Sequence, residues 1–302
     1  MNNGQIHDEV IDVDGTGVDV LTYLTRAYRH STRDAWAARI EAGEVQLDGV
    51  TATATTTLRK GQVLAWHKPP WDEPAVPTDI VVLFHDDDLI AVHKPAGLPT
   101  LPGSGYLEHT LLTMVRALSA STAKASPVHR LDRGTSGIVV FVKHADAARH
   151  VQQQWDSGTV QKRYRALVQG VVVDDRVVVD VAIGPVPDVV VGELFAASPT
   201  GKRARSIIEV VERHDDTTLI DVTLETGRPH QIRIHTAAIG HPLVDEPLYG
   251  VGGVRATAST ARPGDEGFLL HAHMLTLRHP RTNEALTLTA PPPSTLQTEH
   301  ER

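Results

Sequence analysis

The chain has 302 residues, a formal net charge of −8, 41% hydrophobic residues and no cysteine. This length accommodates two domains, and the lack of cysteine excludes disulfide bonds, a thiolate nucleophile and a cysteine-rich zinc site. Because the charge balance is acidic, any binding of nucleic acid must depend on local basic patches. The sequence contains no signal-peptide pattern and no apolar run of about 18 residues, so we expect a soluble cytoplasmic protein without a membrane span.

The N-terminal part is predicted to form two helices and a hairpin. Apolar residues recur at helical spacing from Val18 to Tyr28. Ser31 with Asp34 has the pattern of a capping box, which opens a second helix. Asp48-Gly49 stands between two β-prone runs and predicts a hairpin turn.

The segment KPPWDEPAVP contains four prolines, which disfavour both helix and central strand. We therefore predict a small unit of residues 1–68, a linker of residues 69–78 and a larger domain of residues 79–302.

The larger domain alternates short β-prone runs with few helices. The clearest helix is Asp146 to Trp155, and in the run Thr217 to Leu224 polar residues alternate with apolar ones, which predicts a sheet with one wet face. Strands that follow one another without regular helical crossovers predict an α+β fold, with a mainly antiparallel mixed sheet and flanking helices. The predicted strands are 79–84, 89–93, 137–142, 164–170, 205–211, 217–224 and 269–277.

The segment VHRLDRGTSGIVVFVK has the densest set of reactive residue types. Asp132 stands between Arg130 and Arg133 and just before an apolar strand, which predicts a loop at a strand end. Flanking cations favour an ionised carboxylate, and the glycines allow close approach of a partner. From these residues alone, a surface loop with a local ion pair explains the pattern equally well.

The pattern HRLD-x-x-TSG resembles the signature of the RluA-type family of pseudouridine synthases, in which the aspartate is catalytic. LIAVHKPAGLPTLPG, KRYRALVQG, ETGRPHQIRIHTAAIGHPLVDEPLYG and LLHAHMLTLRHPRT are similar to further blocks of that family and occur in the same order. Together these blocks cover most of residues 80–292. The resemblance implies an RNA pseudouridine synthase in which Asp132 is the essential carboxylate.

The resemblance also implies roles for other residues. Tyr164 matches a tyrosine that packs against the target base, and Arg233 matches a basic residue paired with the catalytic aspartate. A half-buried strand tyrosine and an exposed helix arginine are the alternatives. The family's substrate-binding positions correspond to His129, Arg130, Leu131, Thr135, Ser136, Gly137, Arg228, His230 and Gln231. The chain departs from the family pattern at Pro229, Asp245-Glu246 and His93, which affects the expected local RNA contacts.

The small unit resembles, more loosely, the alpha-L RNA-binding motif. Its helices carry arginines that could contact phosphates, although a solvated helix surface is the competing interpretation. These arginines are Arg26, Arg29, Arg33 and Arg39. Two further basic clusters could rim the Asp132 cleft: Lys162, Arg163 and Arg165, and Lys202, Arg203 and Arg205.

We expect no metal site and no cofactor. His271 with His273, and His230 with His235, are spaced closely, but neither pair has an accompanying carboxylate cluster or an HExxH pattern. The acidic run 86–88 is interpreted as a solvated turn. Conversion of uridine to pseudouridine is an isomerisation, so it requires no nicotinamide, nucleotide triphosphate or metal.

The expected partner is an RNA substrate, ribosomal or transfer RNA, and the expected state is a monomer. Two other classes of protein remain possible at this stage. A non-catalytic RNA-binding protein would tolerate loss of Asp132, and a hydrolase with paired carboxylates would need a second acidic group at the site.

Overall fold

The computed structural model describes residues 1–28 and 30–302, which divide into two compact units, Met1–Pro74 and Ala75–Arg302. Arg29, one of the arginines predicted to contact phosphates, lies outside the described residues. None of the helices in the described part of the chain has both the length and the apolar character that crossing a membrane requires.

The smaller unit combines two helices with an antiparallel four-stranded sheet. Its elements are β1 (Gln5–Val10), α1 (Val20–Ala27), α2 (Arg33–Glu41), β2 (Val45–Leu47), β3 (Val50–Thr51) and β4 (Val63–Lys68), and the strand order is β1-β4-β2-β3. Asp48 and Gly49 form the predicted hairpin turn with positive φ values of 51° and 80°. The predicted cap of α2 is wrong by one residue, because Thr32 accepts the hydrogen bond from the Ala35 N–H while Ser31 binds Arg39.

Each half of the proline-rich stretch has contacts within the unit to which it belongs. In its first half, the Trp71 N–H donates to the side chain of Asn2 at 3.1 Å, and Asn2 in turn donates to Glu73 at 2.7 Å. In its second half, Val76 packs against the core of the larger unit together with Ile80. The segment predicted as a linker is therefore held by contacts at each end.

The larger unit contains fourteen strands and three α-helices among its described residues. The strands are β5 (Val81–His85), β6 (Leu89–Lys94), β7 (Ser126–Pro127), β8 (Ser136–Val142), β9 (Gln161–Gln169), β10 (Arg176–Asp180), β11 (Ile183–Asp188), β12 (Gly192–Ala197), β13 (Arg205–Arg213), β14 (Thr217–Leu224), β15 (Tyr249–Gly250), β16 (Val254–Arg255), β17 (Leu270–Arg278) and β18 (Ala285–Thr289). The helices are α3 (Leu111–Ala117), α4 (Ala145–Asp156) and α5 (Gln231–Ala238), with 3-10 turns at Ala120–Thr122 and Ser294–Leu296.

Ten of these strands form one sheet. Its main path runs β10-β13-β14-β9-β17-β8-β6-β5, with β18 beside β17 and β7 beside β8. The pair of β8 and β17 is parallel, and the other described pairs in this sheet are antiparallel. The α+β fold with a mainly antiparallel mixed sheet is thus confirmed.

Strand β8 positions the loop that carries Asp132. All seven of its residues, SGIVVFV, are buried, because helices cover both faces of the sheet at this point. On one face α4 contributes Ala147 and Val151, and on the other α3 contributes Leu111 and Val115. A strand buried on both sides holds the chain that enters it in a fixed place.

The polar face of β14 is covered rather than wet, contrary to the alternation-based prediction. Asp221 is buried and accepts a hydrogen bond at 2.6 Å from Arg165 of the neighbouring strand β9. Arg165 also donates to the Leu296 carbonyl and to Glu301, so the C-terminal segment lies over this face. The alternation was correct, but a segment distant in sequence covers the polar side.

The acidic run predicted as a solvated turn contains a buried ion-pair network. Asp88 is buried and accepts two hydrogen bonds from Arg281 at 2.7 and 2.9 Å, and His144 approaches it at 2.8 Å. Hydrogen bonds from Arg281, and then from His144, hold the pKa of Asp88 down at about 2 against the opposing effect of burial. This network lies at the end of β8 opposite to the loop of Asp132.

We expect Asp88→Asn to lower the free energy of unfolding at pH 7 by about 1 to 2 kcal/mol, because the carboxylate pKa is depressed in the folded state relative to about 3.9 in the unfolded chain. The lower end of that range reflects solvent screening at Arg281, whose side chain is 61% exposed. The stabilisation of the folded state by the ionised Asp88 is complete above pH about 4 and is lost as the pH falls towards 2. Urea denaturation across this range measures it, with the exposed Asp87→Asn as control. A constant difference between Asp88→Asn and the parent protein at every pH would contradict this account.

Candidate active site

Asp132 lies on a loop that is anchored on both sides of the carboxylate. The Thr100 hydroxyl donates to the Leu131 carbonyl at 2.8 Å and accepts from the Leu131 N–H at 3.3 Å. On the other side, the Gly97 N–H donates to the Arg133 carbonyl at 2.8 Å. The carboxylate itself is 28% exposed, so it is accessible while its backbone is fixed.

A buried lysine adds a third anchor. The Lys94 ammonium donates to three backbone carbonyls, those of Pro95, Leu98 and Arg133, at 3.0, 2.7 and 3.2 Å. Three acceptors match the three donors of a protonated lysine. Burial lowers the pKa of Lys94 to about 7, while Asp132 and Glu266 act in the opposite direction. The block LIAVHKPAGLPTLPG, noted in the sequence only for its resemblance, therefore holds the Asp132 loop.

Arg233 points into the site from α5, with its side chain only 1% exposed. Its Nη1 lies 4.0 Å from Oδ2 of Asp132, which is too long for a direct hydrogen bond. The Phe268 ring lies 4.1 Å from the guanidinium carbon and covers it. Arg233 and Asp132 are thus brought together without a direct hydrogen bond between them.

The closest partner of Arg233 is Glu246, which was not predicted as a site residue. Glu246 accepts from Nε and Nη2 of Arg233 at 2.7 and 2.6 Å, and its side chain has no exposed area. The backbone N–H groups of Leu248 and Tyr249 also donate to it. The bidentate contact leaves Nη1 of Arg233 unbound by Glu246, and Nη1 donates to the Pro263 carbonyl at 3.4 Å and lies 4.0 Å from Oδ2 of Asp132. In the sequence, the only indication of a special role for Glu246 was that Asp245-Glu246 departs from the family pattern. In the structure, Asp245 has a positive φ of 59°.

His230 lies beside Asp132 in a left-handed conformation with a φ of 53°. Its Nδ1 is 2.7 Å from the Tyr249 hydroxyl, which itself donates to the Phe195 carbonyl. In the neutral ring, Nδ1 therefore carries the proton, and Nε2, 3.7 Å from Oδ2 of Asp132, is an acceptor. Burial is the main cause that lowers the pKa of His230, so the neutral form is favoured.

Tyr164 is the aromatic residue on β9 that lines the same cavity as Asp132. Burial, and then the charge of Asp132, raise the pKa of the Tyr164 hydroxyl. A neutral phenol at this position is a poor proton acceptor, and its ring packs against two core clusters.

The cavity in front of Asp132 has a volume of about 490 Å³. Most of the predicted site residues line it: His129, Arg130, Leu131, Asp132, Thr135, Tyr164, Arg228, His230, Gln231 and Arg233. Gln231 is buried, and its amide is engaged with Thr226, the Arg228 N–H, the Arg205 carbonyl and Ser206. Gln231 therefore shapes the cavity through its neighbours.

Ser136 and Gly137 do not line the cavity. The Ser136 hydroxyl is buried 2.8 Å from Nδ1 of His271. Gly137 has a φ of 115°, and a Cβ atom there would lie 2.3 Å from the Ala272 carbonyl oxygen. These two residues allow β8 and β17 to approach, so Ser136 and Gly137 of the motif serve the sheet, whereas Thr135 lines the cavity.

Lys162, which was predicted to rim the Asp132 cleft, lines the cavity, and so does Trp155, which sequence reasoning did not place there. The Trp155 ring stacks on His129 with centroids 5.0 Å apart. Lys162 precedes Tyr164 by two residues on β9. Side chains two positions apart in a strand point to the same face, so this spacing places Lys162 beside Tyr164. Arg163 faces the other way and pairs with Asp221 at 3.1 Å. The cluster at Lys202, Arg203 and Arg205 does not line the cavity.

The histidine pairs considered for metal binding are engaged with protein groups. His271 and His273 both lie within 3.1 Å of the Ala290 carbonyl, and His235 bonds Ser206 and the Val181 carbonyl. Elsewhere, Asp86, Asp88 and His279 bring three ligand atoms within 4.8 Å of one another. Arg281 already supplies positive charge to that cluster, so we assign no ion to it.

Comparison with known proteins gives consistent results. The family described as RNA pseudouridylate synthase matches residues 88–238. An uncharacterised RNA pseudouridine synthase from Synechocystis sp. is 39% identical over 279 residues, which cover 92% of this chain and 96% of that protein. The ribosomal large subunit pseudouridine synthase C of Vibrio cholerae is 31% identical, with coverage of 93% and 91%.

This chain belongs to the RNA pseudouridylate synthase family. It is an enzyme that isomerises uridine to pseudouridine in RNA. The solved structure of human RNA pseudouridylate synthase domain containing 1 has the same fold, with a TM-score of 0.56 and 22% identity over 73% of this chain and 86% of that one.

Proposed function

We propose that Asp132 is the essential carboxylate of the isomerisation. The observation that carries this proposal is the composition of the cavity wall: of the described residues that line it, Asp132 alone is a carboxylate. Glu246, an acidic group close to Asp132 through Arg233, is fully buried and bound to Arg233, so it is not accessible to substrate. A hydrolase that needs two accessible carboxylates does not fit this arrangement.

The reaction breaks the bond between N1 of uracil and the ribose, turns the base and joins it to the ribose through C5. Asp132 can act by attack on the ribose or by assisting formation of a glycal. Arg233, aimed by Glu246, would stabilise the carboxylate that is regenerated. The proton on C5 leaves at the end and N1, released from the ribose, takes up a proton, so atoms and electrons balance without a cofactor.

The cavity favours a nucleotide that has left the helical stack. Target atoms of a stacked uridine are inaccessible, so the nucleotide must be flipped into the cavity. Arg130, Lys162 and Arg228 lie on its wall and can bind the flanking phosphates. Tyr164 would hold the free uracil by packing its ring against the base.

Tyr164→Phe is expected to retain base packing and to keep the single-turnover rate within about tenfold of the parent enzyme, since a neutral phenol contributes little as a base. Tyr164→Leu should lower the rate much further by removing the ring. Single-turnover pseudouridine formation measures both variants. A rate equally low for Tyr164→Phe and Tyr164→Leu would assign the essential role to the hydroxyl.

We propose ribosomal RNA of the large subunit as the substrate, with transfer RNA as the other candidate, and a cytoplasmic monomer as the active form. The name of the Vibrio cholerae relative supports the ribosomal choice. The experiment is to map pseudouridines in total RNA from cells with and without this protein. Loss of a site in large-subunit RNA supports the proposal, and loss confined to transfer RNA overturns the ribosomal choice.

We also propose that residues 1–68 form an alpha-L-like RNA-binding unit. Arg26, Arg33 and Arg39 lie on α1 and α2 and can contact phosphates. A fragment of residues 75–302 should fold, because it retains the large sheet and its cores. We expect this fragment to show a raised KM and a kcat near that of the full chain. An unchanged KM would remove the RNA-binding role.

A further inference from the structure

The smaller unit contains a second cavity, which we call the aromatic cavity, with a volume of about 90 Å³. Aromatic residues make up only 4% of the chain, yet two of its four tryptophans line this cavity. Five ring side chains surround it: His7, Tyr28, His30, Trp36 and Trp66. Trp36 belongs to the apolar core of the unit and Tyr28 and Trp66 pack against it, whereas His7 and His30 are exposed at the cavity.

The rings are arranged as the walls of a cage. Trp36 and Trp66 meet edge to face with centroids 5.0 Å apart, and His7 stacks on Trp66 at 5.4 Å. The Trp36 indole N–H donates to the Tyr28 carbonyl and that of Trp66 to Glu44. Because both indole donors are already engaged, the tryptophans offer ring surface rather than hydrogen bonds to the cavity.

Cations lie at this cage even though the unit as a whole is acidic. The guanidinium carbon of Arg39 lies 4.6 Å from the Trp36 centroid and 4.5 Å from that of Trp66. Nζ of Lys68 lies 3.3 Å from the centroid of Trp71, a ring that is not part of the cavity lining. Burial, and then the charges of Arg39 and of His7 and Lys68, lower the pKa of His30. Positive charges therefore lie beside the rings, together with the carboxylate of Glu9, which also lines the cavity.

We propose that the aromatic cavity binds one unpaired nucleobase of the RNA substrate, with the adjoining phosphate at Arg39 and Lys68. The inference rests on the proposed RNA-binding role of this unit and specifies its ligand. Aromatic rings bind the faces of unpaired bases without regard to sequence, and arginine adds a cation–π contribution. Rings beside cations match a base linked to a phosphate, whereas an apolar peptide would gain nothing from Arg39 and Lys68.

The location of bound RNA tests the proposal without any variant. The full-length protein is irradiated with ultraviolet light in the presence of single-stranded hexaadenylate, which contains no uridine to react, and crosslinked peptides are identified by mass spectrometry. We expect crosslinks on peptides that contain His30 or Trp66. Crosslinks confined to residues 75–302 would overturn the proposal.

A double variant measures the contribution of the rings to affinity. His7→Ala with His30→Ala removes two exposed rings, and we expect hexaadenylate binding to weaken about tenfold in fluorescence anisotropy. His67→Ala is the matched control, because His67 follows Trp66 on β4 and faces the other side of the strand. A hexamer of abasic ribose phosphates should bind the parent protein and the double variant equally. Equal weakening for both hexamers would mean that only phosphates are bound and would overturn the base-binding claim.

Pseudouridine formation assayed with the same proteins separates this proposal from the proposed function. We expect the double variant to keep its kcat and to raise its KM on a substrate RNA. If the parent protein formed no pseudouridine while hexaadenylate still crosslinked at the aromatic cavity, the proposed function would fail and the cavity proposal would stand.

Discussion

Asp132→Asn is expected to reduce pseudouridine formation below detection while the protein remains folded and binds RNA. The substitution keeps the size of the side chain and removes its charge, and the loop is held by Thr100, Gly97 and Lys94 rather than by the carboxylate. Loss of an anionic catalyst abolishes the step that breaks the glycosidic bond. Nucleoside mass spectrometry of treated RNA measures the product, and anisotropy with the same RNA measures binding.

Arg130→Gln is the matched control for this variant. Arg130 is exposed on the cavity wall and is expected to affect RNA affinity and salt dependence more than bound turnover. If Asp132→Asn lost RNA binding or its melting transition, its inactivity would say nothing about chemistry. A folded, RNA-bound Asp132→Asn that still forms pseudouridine would make Asp132 a structural residue.

Glu246→Gln is expected to slow single-turnover pseudouridine formation by about 100-fold, although Glu246 itself has no access to substrate. Its charge and two oxygens fix the Arg233 fork, which holds Nη1 4.0 Å from Oδ2 of Asp132. Removal of one partner from a buried ion pair also costs about 3 to 5 kcal/mol of stability. The assay therefore needs a temperature well below the melting transition of the variant.

Glu246→Asp separates positioning from simple destabilisation. Aspartate keeps the charge but shortens the reach to Arg233. The single-turnover rate of Glu246→Asp should therefore lie between those of Glu246→Gln and the parent enzyme, while KM stays unchanged. Arg233→Lys should be less damaging than Arg233→Ala but still slow, because lysine keeps a charge without the planar fork. A folded Glu246→Gln with the parent rate would show that Glu246 serves stability alone.

Local sequence patterns located seven of the fourteen strands described in the larger unit. Apolar β-branched runs such as GIVVFV predict a buried strand, and the helix at Asp146 to Trp155 was found one residue longer at each end. The positive φ values at Asp48 and Gly49 follow from residue types that tolerate them. In these cases the deciding interactions are between residues close in sequence.

Pairings between distant segments were beyond the sequence alone. The contact of Asp221 with Arg165 joins two strands, and the C-terminal residues that cover it are more than 70 positions away. Glu246 and Arg233 are separated by 13 positions, but their pairing depends on the path of the loop between α5 and β15. The aromatic cavity likewise brings together Trp36 and Trp66 from a helix and a strand.

Family resemblance located the Asp132 cavity better than residue chemistry did. Considered as an isolated loop, Asp132 with its flanking arginines was compatible with a surface ion pair. In the structure, Arg130 is exposed and Arg133 donates to the Gly264 carbonyl and the Tyr106 hydroxyl, so neither is the closest cation to the carboxylate. The nearest charged group is Arg233, about 100 positions further along the chain.

Release of tritium from RNA labelled at C5 of uracil, under single-turnover conditions, tests the central claim most directly. The C5–H bond is lost only after the base has been detached and rejoined, so the signal reports completed isomerisation. We predict rapid release with the parent enzyme and no release above background with Asp132→Asn, at equal occupancy of RNA. Release by Asp132→Asn at a rate near that of the parent would contradict the assignment of Asp132 as the essential carboxylate.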